Sequence, residues 1–94
     1  MNNLTTQIAV LTQGFVYVGH CTLADGMIII TDASNVRRWG TEKGLGQLAI
    51  SGPTATTRLD TAGTIRAPLS ALVHLIDCAD AAWPAVAQAA DMAA

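Results

Sequence analysis

The sequence has little charge, few basic residues and no long apolar run, and each scarcity excludes a class of protein. Charged residues occupy 13% of the 94 positions, and the formal net charge is −2. General nucleic-acid binding needs a broad basic surface, which five basic residues in an acidic chain do not supply. The apolar runs, such as MIII at 27–30, are far shorter than a membrane span. We therefore expect neither general nucleic-acid binding nor membrane insertion.

Cysteine is scarce as well, with Cys21 and Cys78 as the only two. One pair gives no disulfide pattern to interpret. The start, MNNLTTQIAV, has neither a basic region nor a long apolar run, so we expect no signal peptide. Because we expect no export, we also expect both thiols to be reduced, and buried as cysteines usually are.

Groups that could bind a metal or catalyse a reaction are few and poorly spaced. His20 and Cys21 are neighbours, so on a strand they point to opposite faces. On a strand, His74 and Cys78 would lie about 13 Å apart. A zinc site needs at least three protein ligands, so we expect no metal and no cofactor.

Neither acid–base nor nucleophilic catalysis has a recognisable residue set. The seven acidic residues include no two that are spaced as a catalytic carboxylate pair. The serines lack the surroundings of a nucleophile elbow, and the cysteines have no evident histidine and asparagine partners. We therefore predict that the protein is not an enzyme.

Apolar residues are plentiful, at 51% of the chain, which is ample for one hydrophobic core. The length predicts a single domain over residues 1–94. Because so little charge is available to cover the surface, we also predict self-association, as a homodimer. The contact would use the MIII strand or the alanine-rich C-terminal segment, and a symmetric contact there would hide a sheet edge.

The first third of the chain has the composition of β-strands. QIAVLT (7–12), FVYVGHCTL (15–23) and MIIIT (27–31) are rich in β-branched and aromatic residues, and the first two alternate. The pair Asp25-Gly26 lies between two of them and favours a type I′ hairpin turn. These segments predict an antiparallel meander, in which the third strand is covered on both faces because its isoleucines do not alternate.

The middle of the chain predicts a turn, a short strand and a helix. DASN (32–35) has turn chemistry, and VRRW (36–39) can extend as a short strand. KGLGQLAIS (43–51) predicts a short helix, because Leu45, Leu48 and Ala49 recur at helical spacing. Gly52-Pro53 should end that helix.

The last third is harder to assign. TATTRLDTAG (54–63) is predicted to be a loop. TIRAPLSALVHLIDC (64–78) fits a helix with Pro68 at its first position, or two strands around a turn at APLS, and we favour the strands. Residues 79–94 have helical composition, with Asp80 as a cap and a proline in the first turn. The whole pattern predicts an α+β fold, a curved antiparallel sheet of four to six strands with one short helix and a C-terminal helix.

A basic and aromatic cluster is the candidate binding site. Three of the five basic residues fall within seven positions, and the candidate residues are Arg37, Arg38, Trp39 and Lys43. Arginine offers a planar fork of donors for phosphate or carboxylate, and tryptophan offers a flat face for stacking. The following GTEKGLG does not match a phosphate-binding loop. The alternative is that Trp39 caps the core and both arginines are solvated.

The segment NVRRW (35–39), followed by LGQLAISG (45–52), resembles a loose group of small phage and prophage proteins. In that group an Asn-x-Arg-Arg-Trp segment precedes a short LxQLAxxG helix. The likeness covers roughly residues 8–80 and is carried by Arg37, Arg38, Trp39, Leu45, Gln47, Leu48, Ala49 and Gly52. The group has no assigned activity, so no functional residue is carried over. The resemblance implies a mobile-element gene whose product acts in a bacterial cytoplasm.

That setting favours a non-enzymatic protein that binds and blocks a host protein or ribonucleoprotein complex, as an anti-CRISPR or other anti-defence inhibitor does. A second hypothesis is an oligomeric binder that sequesters an anionic nucleotide, and a third is a structural subunit of a phage assembly. A protein partner needs a wide contact of about 800 Å² on each side. A nucleotide needs a concave pocket with convergent donors, so the shape of the cluster separates the first two hypotheses.

Overall fold

The computed structural model describes residues 6–83, and of Asp80 only the backbone. They form a five-stranded antiparallel sheet and one helix. The strands are β1 (Thr6–Leu11), β2 (Val16–Ala24), β3 (Met27–Arg38), β4 (Arg58–Pro68) and β5 (Leu72–Asp77), and the helix is α1 (Gly44–Ser51). Three 3-10 turns lie at Thr12–Gly14, Leu69–Ala71 and Asp80–Ala82. The α+β class and the antiparallel sheet are confirmed. Of the predicted C-terminal helix, residues 80–82 form a 3-10 turn, and the part beyond residue 83 lies outside the described residues.

The sheet has the strand order β4-β3-β2-β1-β5. Strands β1 to β4 are sequential antiparallel neighbours, and β5 crosses back to pair with β1. Strands β4 and β5 are therefore the two edges of the sheet. The helix α1 belongs to the connection between β3 and β4.

The hairpin between β2 and β3 confirms the Asp25-Gly26 turn. Both residues have positive φ, 54° at Asp25 and 74° at Gly26, as a type I′ turn requires. The glycine carbonyl also accepts a hydrogen bond of 2.9 Å from the backbone N–H of Leu69, which ties the β4–β5 connection to this hairpin.

One face of the sheet is covered by α1. Its inward side chains, Leu48 and Ala49, are fully buried against the strands. The buried members of this cluster are Ile8, Val16, Val18, Val36, Leu48, Ala49 and Trp83. Burying a side chain such as that of Leu48 contributes about 1.5–3 kcal/mol. The helix predicted from Leu45, Leu48 and Ala49 is confirmed, and Gly52 ends it by donating its N–H to the carbonyl of Leu48 (2.8 Å).

The opposite face carries a second core without a helix over it in residues 6–83. Ile28 and Ile30 are 0% exposed there. The buried members of this cluster lie on β1 and β3, and the side chains packed around them come from β2, β4 and β5, namely Tyr17, Cys21, Ala62, Ile65, Ala67, Leu72 and Leu75. Ile29, which lies between Ile28 and Ile30 on β3 and points to the other face, is half-buried. The third strand is therefore covered more completely on one face than on the other.

Two of the sequence predictions in this region are wrong. DASN (32–35) is not a turn, because β3 runs on to Arg38 and accommodates Asp32 at positive φ (51°) where the strand register shifts. Residues that are common in turns tolerate the positive φ that a bulge can require, so the segment DASN is compatible with either structure. The predicted loop at 54–63 is also too long, since β4 begins at Arg58. The two strands favoured for 64–78 are confirmed, around the turn at Leu69–Ala71.

The chain between residues 6 and 83 contains no helix that is long and apolar enough to cross a membrane.

Candidate binding surface

Three of the five basic residues meet where β3 ends and β4 begins. In the strand register Val36 lies opposite Leu59, and the next pair is Arg38 opposite Arg58. Arg37 is the additional residue of β3 between these pairs, so two arginines of β3 face one arginine of β4 across a bulge. We call Arg37, Arg38 and Arg58 the arginine bulge. The first two are predicted site residues, and Arg58 is not among the residues that the sequence predicts.

Within the arginine bulge, Arg37 is the residue with an acidic partner. Its Nε lies 2.9 Å from Oδ2 of Asp60, and the two side chains are 63% and 52% exposed. An ion pair this exposed contributes only about 0.2–1 kcal/mol. In the described part of the chain Arg38 and Arg58 form no ion pair.

The guanidinium of Arg58 is held by backbone carbonyls. Its Nη1 donates to the carbonyl oxygens of Ala55 and Thr57, at 3.1 Å in both cases. These bonds orient the guanidinium, and its other N–H groups form no hydrogen bond or ion pair with a described side chain. No local sequence pattern could have marked Arg58, because its position opposite Arg38 is set by the strand register.

A set of threonine hydroxyls fixes the chain directly after the arginines. Thr54 and Thr56 donate to the carbonyl of Gly40, at 2.7 Å and 3.2 Å, and Thr57 donates to the carbonyl of Trp39 at 2.6 Å. We call these three residues the threonine clamp. Gly40 has φ of 69°, and a Cβ there would lie 2.5 Å from the backbone nitrogen of Thr57. The close approach of the two segments therefore requires glycine at position 40.

The two tryptophans have different environments. Trp83 is 3% exposed, and its Nε1 donates to the carbonyl of Ala49 at 3.1 Å. Trp39 is 44% exposed, although the backbone beside it is held by the threonine clamp. The ring that packs into the core is that of Trp83, and the ring of Trp39 is available on the surface.

Lys43 contacts residues of α1 and not those of the arginine bulge. It immediately precedes α1, where its backbone N–H donates to Oε1 of Gln47 (2.9 Å). Its side chain borders an open depression of about 490 Å³ whose other lining residues are Glu42, Gln47, Ile50 and Ser51. No arginine of the bulge lines this depression. The sequence cluster therefore separates into an arginine surface and a depression beside the helix.

The buried histidine and the two cysteines are the other groups that could carry chemistry. His20 is 1% exposed, and its Nδ1 lies 3.4 Å from Oδ2 of Asp32 but makes no hydrogen bond. Within residues 6–83, no three histidine, cysteine or acidic side chains lie together as metal ligands would. Cys21 and Cys78 are both half-buried rather than buried, and no disulfide joins them. Burial raises the pKa of the Cys21 thiol to about 11, so this thiol is protonated at neutral pH and is a poor nucleophile.

Comparison with known proteins assigns no family to the chain. No family model matches it, and no curated protein matches it significantly. The chemistry of the arginine surface and of Trp39 is therefore the basis for a functional proposal.

Proposed function

We propose that the protein is a non-enzymatic binding protein whose arginine bulge and Trp39 recognise an acidic surface of a macromolecular partner. The observation that carries this proposal is the meeting of Arg37, Arg38 and Arg58 at one end of the sheet in a chain of net charge −2. Arginine and tryptophan are the residues most often found as energetic anchors in interfaces. Both occur here on a backbone that the threonine clamp holds in place.

The exposure of these side chains favours a macromolecule over a free nucleotide. Nucleotide sites are concave and bury most of their ligand. Trp39 and Arg37 are 44% and 63% exposed, which supports a protruding contact surface. The depression beside Lys43 is lined by one basic residue and one acidic residue, so it lacks the convergent positive charge that a nucleotide phosphate needs.

The resemblance to phage and prophage proteins narrows the proposal. In that setting the partner is a host protein or ribonucleoprotein complex, and the protein blocks it, as an anti-CRISPR or other anti-defence inhibitor acting in the bacterial cytoplasm. If the protein were a structural phage subunit, the arginine bulge would instead contact a neighbouring subunit of the same assembly. Expression in a bacterium with an active CRISPR system, followed by phage challenge, separates these roles, because only an inhibitor raises plating efficiency.

The double change Arg37→Ala and Arg38→Ala tests the binding surface. Tagged protein is used to capture partners from a bacterial lysate, and the captured proteins are quantified by mass spectrometry. We expect the double variant to keep its melting temperature, because the interactions lost are one exposed ion pair and the like charge opposite Arg58, whose effects are small and opposite in sign. We expect capture to fall at least tenfold and to become less sensitive to salt. A folded double variant that captures the same proteins in the same amounts would show that the arginines are only solvated.

Self-association remains part of the proposal. The unpaired edges of the described sheet are β4 and β5, and either could pair with a second copy. Within one protomer Ile28 and Ile30 are fully buried, so the MIII strand offers Met27 and Ile29 for such a contact. We expect light scattering at high micromolar concentration to give twice the chain mass of 9.7 kDa. A mass of one chain at that concentration would exclude the dimer.

A further inference from the structure

The pairing of Arg38 with Arg58 is unfavourable in the isolated protein. Directly opposed like charges destabilise an antiparallel strand pair. The only acidic side chain in an ion pair with the arginine bulge, among residues 6–83, is that of Asp60, and it contacts Arg37. Three positive charges and one negative charge leave two positive charges at this end of the sheet, while the whole chain carries −2. An anion placed between Arg38 and Arg58 would relieve the repulsion.

The guanidinium of Arg58 and the backbone that follows Arg38 are held in place before any ligand arrives. Arg58 is oriented by its bonds to the carbonyls of Ala55 and Thr57. The segment after Arg38 is fixed by the threonine clamp on the carbonyls of Trp39 and Gly40. Binding to groups that are already fixed loses less conformational entropy, which favours a defined site over loose attraction.

We propose that Arg38 and Arg58 form a binding site for a phosphate monoester. A phosphate monoester carries a charge close to −2 near neutral pH and has three strong acceptor oxygens. One such group can accept hydrogen bonds from both guanidinium forks and neutralise both charges, whereas one carboxylate matches a single fork. This inference rests on the proposed function, because it names the anionic group that the arginine bulge would contact on its partner. The favoured source is a phosphorylated side chain of a protein, and a nucleotide is the other source of the same group.

The site can be tested with small probes on the whole chain. Phenyl phosphate and benzoate share a ring but differ in charge, and both can be titrated into ¹⁵N-labelled protein at pH 7.5 and constant ionic strength. We expect saturable shifts of the arginine Nε–H signals of Arg38 and Arg58, with phenyl phosphate bound about tenfold more tightly than benzoate. Equal binding of both probes, or shifts that do not saturate, would overturn the phosphate site.

Matched variants place the site on the two arginines. Arg58→Gln and Arg38→Gln should each weaken phenyl phosphate binding at least tenfold. Arg66→Gln removes the same charge from an exposed residue of the same strand, opposite Ile29, and should change binding less than twofold. The amide spectrum of each variant reports folding, and having two separate arginine variants keeps the test valid if one of them unfolds. Full binding by both folded arginine variants would overturn the proposal.

The outcomes separate this inference from the proposed function. If phenyl phosphate does not bind but Arg37→Ala and Arg38→Ala still abolish partner capture, the phosphate site is wrong and the binding surface stands. If phenyl phosphate binds at the two arginines but capture is unchanged in the double variant, the phosphate site stands and the proposed partner surface is wrong. Adenosine monophosphate bound at least tenfold more tightly than phenyl phosphate would keep the phosphate site and assign it to a nucleotide.

Discussion

Replacing Trp83 with alanine should lower the free energy of unfolding by about 3–5 kcal/mol, which is enough to unfold much of a small domain. The side chain is 3% exposed and belongs to the cluster between α1 and the sheet. Its removal leaves a cavity in this cluster and takes away the Nε1 hydrogen bond to the carbonyl of Ala49. Urea denaturation followed by circular dichroism measures the loss.

Trp39→Ala is the matched control for that change. It removes the same atoms from a side chain that is 44% exposed and outside both buried clusters. We expect a destabilisation of about 1 kcal/mol or less. If the two tryptophan variants lose similar stability, the assignment of Trp83 to the core and of Trp39 to the surface is wrong.

Gly40→Ala should destabilise the protein by about 3 kcal/mol or more, because two unfavourable effects add. The backbone there has φ of 69°, which an alanine adopts only with strain. The new Cβ would also lie 2.5 Å from the backbone nitrogen of Thr57 and 2.7 Å from the backbone carbon of Thr56, so the two segments must move apart. That movement would break the threonine clamp.

Gly44→Ala separates the two effects. Gly44 has φ of 76°, close to that of Gly40, but nothing lies within 4 Å of a Cβ built on it. We expect a loss of about 1–2 kcal/mol from backbone strain alone. Melting temperatures of both variants give the comparison, and equal losses would mean that the close approach of Gly40 to the clamp does not matter for stability.

Local patterns were sufficient where structure depends on neighbouring residues. Asp25-Gly26 specifies its turn because both central positions need positive φ, whatever the rest of the chain does. The helix at 44–51 follows from the spacing of Leu45, Leu48 and Ala49, which have an apolar face to bury. In both cases the signal and the structure lie within a few residues of each other.

Local patterns failed where distant segments decide the structure. Aspartate is common in turns, which is why the sequence predicts a turn at Asp32. Because β3 pairs with β2 on one side and β4 on the other, the residue lies in a bulge of the strand instead. The start of β4 is polar because it belongs to an edge strand with mostly exposed side chains, and it resembles a loop for that reason.

The candidate site was found in part for the same reason. Arg37, Arg38 and Trp39 are adjacent in sequence, so their clustering could be predicted. Arg58 lies beside them because of the register between β3 and β4. Lys43 is the residue before α1, and its contacts are with that helix. The register between two strands whose paired residues are twenty positions apart is set by tertiary structure, and no local sequence pattern encodes it.

The central claim is that one end of the sheet, and not the general charge of the protein, recognises the partner. All five basic residues are exposed, so each can be changed to glutamine singly with the same change in net charge. The most direct measurement is the affinity of these five variants for the captured partner, at two salt concentrations. Our account predicts at least tenfold losses for Arg38→Gln and Arg58→Gln and almost none for Arg66→Gln. Equal losses for all five would mean diffuse electrostatic attraction and would contradict a defined arginine surface.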